Sequence, residues 1–141
     1  MTYPANNALG SYRANGAMMA MNHANPHQLI DLLMERAISR LAIARGHMQR
    51  DQTHGKGEHI SGAMAIITGL QSFLDHSSGG EIAAKLDALY DYMGRKLVQA
   101  NVQNDISALE EVTTLLKEIR QGWQGIEQQV NQAGAIAPQA V

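Results

Sequence analysis

Residues 105–130 have the clearest apolar periodicity in the chain and read DISALEEVTTLLKEIRQGWQGIEQQV. Large apolar side chains recur every three or four residues, which places them on one face of an α-helix; they are Leu109, Val112, Leu116, Ile119, Trp123, Ile126 and Val130. A helix with one apolar face must bury that face against other elements. The stretch therefore predicts a helix over about 105–129 that packs beside further helices.

The first of these further helices is predicted from Pro26 to Arg50. Asn25 and Gln28 have the spacing of a capping box, and proline suits the first helical position. Apolar residues then recur at helical spacing as far as Met48. The polar, glycine-containing residues 51–57 that follow are predicted to be a connection.

Two more helices are predicted between this connection and the last helix. One runs from Glu58, or a turn earlier, to Leu74, and the next from Glu81 to Ala100. Ser78 has capping-box spacing to Glu81, and Asn104 is placed to cap the last helix.

Four helices of similar length joined by short connections predict an all-α fold, an antiparallel up-down four-helix bundle. The composition agrees, because the 141 residues include three prolines and only 4% aromatic residues. We assign residues 25–130 to the bundle, residues 1–24 to a flexible N-terminal arm and residues 131–141 to a frayed, disordered tail.

Composition and charge exclude several classes of function. The net charge is −2, and no basic run offers a nucleic-acid surface. There is no cysteine, so disulfides, thiolate metal sites and a cysteine nucleophile are excluded. No apolar run is long enough for membrane insertion, and the N-terminus does not resemble a signal peptide. These features are typical of a cytoplasmic protein.

The six histidines do not form a recognisable metal motif. His23 and His27 are separated by a proline, and His54 and His59 by two glycines, so neither pair lies on one continuous helical face. The chain has no Glu-x-x-His motif of the kind that di-iron bundles use. We expect no metal, no cofactor and no catalytic residue.

The second and third helices carry more apolar residues than a four-helix core needs. Some must widen the core, but together they suggest a surface groove for a partner. The candidate groove residues are Ile66, Leu70, Phe73, Leu86, Tyr90 and Leu97. The N-terminal arm also contains apolar and Met residues and could cover this groove until a partner helix replaces it. Alternatively, the arm is disordered or permanently packed.

One pattern resembles the flagellin-specific export chaperones of the FliS family. It consists of residues 79–83 (GGEIA), Leu86, residues 89–93 (LYDYM), Leu97, Ala100-Asn101 and Asn104-Asp105. The likeness continues upstream in Ser11-Tyr12 and residues 24–30, and downstream in residues 110–112 and Trp123. Residues 33–38 (LMERAI) depart from it, because the family usually has an aromatic residue followed by Asp-Gly there.

The resemblance implies a cytoplasmic helical bundle that binds the C-terminal segment of flagellin. Such chaperones prevent premature polymerisation and deliver flagellin to the flagellar type III export gate. They are not enzymes and need no metal or nucleotide. In that family an aliphatic residue and a tyrosine of the N-terminal arm help to bind flagellin, and these positions match Leu9 and Tyr12 here.

Two other classes of function remain open from the residues. A helical regulator or self-associating scaffold would use the apolar face of the last helix, with Trp123, for dimerisation. A metal-binding or oxidoreductase bundle would use the histidines. For the chaperone we expect a monomer or a weak homodimer.

Overall fold

The computed structural model describes residues 25–133, and the side chains of residues 25–126. This part of the chain forms four helices and contains no strand; they are α1 (Pro26–Gln49), α2 (Thr53–Ser72), α3 (Gly80–Gln103) and α4 (Ile106–Ala133). Both α1 and α3 pack against α2 and α4. Short connections between neighbours make this an antiparallel up-down bundle, so the predicted all-α fold is confirmed.

The two ends of the bundle differ, and we name them by what they contain. The turn end holds the connections at 50–52 and 104–105. The terminal end holds the start of α1, the connection at 73–79 and the C-terminal part of α4. Here α4 continues about 15 Å beyond Trp123 to Ala133, so residues 131–133 are helical rather than part of the predicted tail.

The caps show which local signals determined the helix boundaries. The predicted capping box is confirmed: Asn25 accepts from the Gln28 N–H, and the Gln28 side chain accepts from the Asn25 N–H. The predicted Ser78 cap of α3 is wrong, because its hydroxyl donates to Asp75 and Gly79 occupies the N-cap position.

The cap of α4 also differs from the prediction by one residue. Asp105 accepts from the Ala108 N–H at 3.1 Å, whereas Asn104 ends α3 in the left-handed conformation with φ of 51°. A hydrogen bond from Gln99 and the one from the Ala108 N–H hold the pKa of Asp105 below its usual value.

Helix α2 begins at Thr53, so most of the predicted connection 51–57 is helical. Glycine is a poor helix former in isolation, but this turn packs against α1. A Cβ atom at Gly55 would lie 2.5 Å from the ring of His47, and Lys56 is buried. Tertiary contact therefore extends the helix through residues whose intrinsic propensity favours a loop.

The core is formed mainly by aliphatic and methionine side chains, and all four helices contribute to it. At the turn end, hydrogen bonds that join three of the helices close the core. Lys56 Nζ donates to the carbonyl oxygen of Asn101 at 3.0 Å and lies 3.5 Å from Asn104 Oδ1. Asn104 Nδ2 in turn donates to the carbonyl oxygen of Met48 at 3.4 Å.

Candidate partner-binding site

An apolar pocket lies at the terminal end of the bundle, and all four helices contribute to its wall. We name it the terminal pocket; it is lined by Ile30, Met34, Leu70, Phe73, Leu74, Leu86, Tyr90, Ile119 and Trp123. Its enclosed volume is only about 20 Å³, roughly the space of one water molecule. The feature of the pocket that matters for binding is therefore its partly exposed apolar rim.

Trp123 and His27 form the α1–α4 side of this end. Their rings stack with centroids 4.0 Å apart and planes 5° from parallel. Trp123 Nε1 donates to the carbonyl oxygen of His27 at 2.8 Å. Arg120 lies one turn earlier and bonds Asp31 at 2.9 Å, and this hydrogen bond raises the pKa of the arginine. These contacts hold α4 firmly on the first turns of α1.

Four of the predicted groove residues meet in the terminal pocket. Leu70 and Tyr90 are buried in its floor, while Phe73 and Leu86 are half-buried at its rim. Burial raises the pKa of Tyr90 to about 12, so its side chain stays neutral at physiological pH. These four predicted groove residues therefore lie together at the terminal end, and their role in binding a partner stays a prediction.

The prediction that Ile66 and Leu97 line an outer groove is corrected. Their side chains are 1% and 0% exposed and belong to the core. Leu97 lies four residues after Met93 and seven after Tyr90, so it shares the face of α3 that is turned inward. These apolar residues widen the core instead of forming a surface.

Two predicted site residues, Leu9 and Tyr12, lie outside the described residues, as does the whole predicted arm over 1–24. Conversely, the sequence did not predict Ile30, Ile119 and Trp123 as groove residues, although they line the terminal pocket. The signal that could have identified them is the order in which residues of antiparallel helices lie opposite one another. In antiparallel helices, residues early in the first helix meet residues late in the fourth.

The apolar surface near this end includes two residues beyond the pocket. Ile82 in the first turn of α3 is 59% exposed, and Ile126 late in α4 is also exposed. Both belong to neighbouring helices that meet at the terminal end. An exposed apolar area next to a half-open pocket is typical of a protein-binding surface.

A metal site and a membrane-spanning helix are both absent from the described residues. No three histidine, aspartate or glutamate side chains in this range come close enough together to hold a metal ion. Across the same residues, no helix combines the length and the apolar character needed to cross a bilayer.

Comparison with known proteins identifies the family. Residues 6–130 match the family described as "Flagellar protein FliS". The chain is 48% identical over 119 residues to the flagellar secretion chaperone FliSB of Pseudomonas aeruginosa, covering 84% of this chain and 94% of that protein.

Two further relatives are the flagellar secretion chaperones FliS of Salmonella typhimurium and Vibrio cholerae. The first is 47% identical over 76% of this chain and 80% of its own length, and the second 36% over 84% and 88%. Coverage is high on both sides of each comparison. The chain therefore belongs to the FliS family.

Proposed function

We propose that this protein is a flagellar export chaperone that binds the C-terminal segment of flagellin at the terminal pocket. Membership of a family whose relatives are flagellar secretion chaperones supports the general role. The observation that carries the site is the meeting of Phe73 and Leu86 as a half-buried apolar rim over Leu70 and Tyr90. No enzymatic activity is assigned.

The proposed mechanism depends on apolar burial. A flagellin segment that is disordered as a free monomer would fold onto the rim and bury the apolar stripe by which subunits polymerise. Ordering it costs about 2–5 kcal/mol, and burying on the order of 1,000–3,000 Å² can offset this cost. Because the contact is non-covalent, the client can be released for delivery to the flagellar export gate.

We also propose that the N-terminal arm takes part through Leu9 and Tyr12. An arm that competed for the rim would lower the apparent affinity for flagellin by the fraction of time that it occupies the site. Removing residues 1–16 is expected to change flagellin affinity. An unchanged dissociation constant would rule out this part of the proposal.

The test is calorimetric titration of the full chain with a flagellin C-terminal fragment, beside a fragment that lacks that end. Binding of the first fragment alone is expected. If neither fragment binds, the flagellin-chaperone function is overturned.

The position of the site is tested with Phe73→Ser and Leu86→Ser, which place a polar group on the rim. Each is expected to weaken binding about tenfold or more while circular dichroism stays unchanged. Val102→Ser is the matched control, because Val102 is 78% exposed and lies at the turn end. Equal losses in the rim variants and the control would show that the terminal pocket is not the site.

A scaffold that dimerises through the apolar face of α4 finds no support. Trp123 is buried and bonded to His27, and Leu109, Val112 and Leu116 lie in the core. We propose a monomer or weak homodimer in the cytoplasm. Light scattering at several concentrations measures the oligomeric state.

A further inference from the structure

A row of arginine and histidine side chains follows the side of α1 that faces α2. Arg36, Arg40, His47 and Arg50 are separated by four, seven and three residues, which places them on one helical face. They span about 21 Å along the helix axis. Ile43 lies on the same face between Arg40 and His47 and is 46% exposed. We name these five residues the arginine stripe.

Among the described residues, no carboxylate pairs with an arginine of the stripe. Arg50 donates only to the neutral side chain of Gln52, at 3.1 Å. By contrast, Arg45 on the side of α1 facing α4 pairs with Glu110 at 3.4 Å. Asp31 and Glu35 likewise pair with Arg120 of α4, away from the stripe.

Two glycines of α2 let the stripe lie across the seam between the helices. A Cβ atom at Gly62 would lie 2.5 Å from Arg40 Nη1, and one at Gly55 would lie 2.5 Å from His47 Cε1. The His47 ring also stacks on His59, with centroids 5.6 Å apart. The side chains of Arg40 and His47 therefore lie over α2 and form one continuous surface with it.

We propose that the arginine stripe docks an acidic amphipathic helix of a partner protein. Guanidinium groups match carboxylates in geometry, and an apolar side chain of the partner would cover Ile43. The whole chain, stripe included, has a net charge of −2, so a long polyanion such as nucleic acid or an anionic membrane would also meet negatively charged surface. A short acidic helix, by contrast, would place its negative charge only next to the arginine stripe.

The test measures fluorescence anisotropy of a labelled helical peptide about 18 residues long, enough to span the stripe. Its glutamates repeat the spacing of Arg36, Arg40, His47 and Arg50 around a single leucine. A second peptide of equal composition has the glutamates distributed around the helix. The full chain is expected to bind the first about tenfold more tightly than the second. Equal affinities would overturn the proposal.

The variant Arg36→Gln/Arg40→Gln/Arg50→Gln is expected to lose about tenfold in affinity for the first peptide. The matched control, Lys85→Gln/Arg95→Gln/Lys117→Gln, removes the same charge from α3 and α4 and should bind normally. An equal loss in both would overturn the proposal, since only net charge would then matter.

The double variant Arg36→Gln/Arg50→Gln repeats the test with two exposed residues that are not packed over Gly62. This double variant should also bind the first peptide less tightly than the wild type does. Wild-type affinity for that peptide would contradict the proposal. Binding of anionic phospholipid vesicles without binding of the peptide would also overturn it. Flagellin-fragment affinity should stay unchanged in all these variants, which separates this surface from the terminal pocket.

Discussion

Trp123 and His27 are joined twice, by a hydrogen bond from the indole Nε1 to the carbonyl oxygen of His27 at 2.8 Å and by ring stacking at 4.0 Å. One residue lies late in α4 and the other in the first turn of α1. The pair therefore fixes the register of the first and last helices and supports one wall of the terminal pocket.

Trp123→Phe is expected to lower the free energy of unfolding by about 1–2 kcal/mol, because the hydrogen bond to His27 is lost and less apolar surface is buried. Trp123→Ala should cost about 3–5 kcal/mol, because it also leaves a cavity. Urea unfolding followed by circular dichroism measures both. Equal stability of Trp123→Phe and the wild type would show that the hydrogen bond contributes nothing.

Stability should fall in alkali because Tyr90 is buried. Its pKa is raised to about 12 in the folded state from an unfolded value of 10.0. The folded state therefore holds the proton more tightly, so the stabilisation is complete below pH 10.0 and is lost as the pH rises towards 12. The loss should approach about 3 kcal/mol.

Unfolding of the wild type and Tyr90→Phe should be compared across this pH range. The phenylalanine variant should lack the alkaline loss that Tyr90 causes, and parallel curves would refute the assignment. Tyr92→Phe is the comparison variant: hydrogen bonding to Glu111 raises the pKa of that half-buried tyrosine, and this variant should keep the alkaline loss that Tyr90 causes.

Gly122→Ala is expected to stabilise the protein by about 0.5–1 kcal/mol, since alanine is the better helix former. A Cβ atom there meets no neighbour within 4 Å. Gly80→Ala should have the opposite sign, because φ is +54° at that position. Thermal unfolding of both variants checks the pair, and a destabilised Gly122→Ala would contradict the description of that face.

Lys56→Met is expected to destabilise the turn end by about 1–3 kcal/mol. The substitution keeps a long side chain but removes the donor to the carbonyl of Asn101 and to Asn104. Hydrogen exchange should speed up in the last turn of α3 before it does elsewhere. Lys117→Met is the exposed control, and an equal effect there would show that the buried bonds of Lys56 contribute nothing.

The sequence predicted the helices well because their apolar stripes repeat without interruption, and the Asn25 capping box marked the start of α1 correctly. It failed at the start of α2, where packing of Gly55 against His47 overrides glycine's low propensity. It also failed for Ser78, because hydrogen bonds from its N–H and hydroxyl to Asp75 hold it in the preceding turn, and Gly79 is the N-cap of α3.

The candidate site was harder to predict than the fold. Periodicity gives the face on which a residue lies but not how wide the buried face is. Leu97 and Tyr90 look equivalent on α3, yet one lies in the middle of the core and the other in a pocket at the end. What distinguishes them is their position along the bundle axis, which is set by how the four helices pack against each other.

Because the bundle has four antiparallel helices, an even number, the described chain enters and leaves it at the same end. Residue 25 and residue 133 both lie at the end that holds the terminal pocket. A fluorophore attached directly beside residue 25 or residue 133 would therefore lie next to the surface that a binding assay is meant to measure. Labels attached in the connections at 50–52 or 104–105 would report from the far side and leave that surface clear.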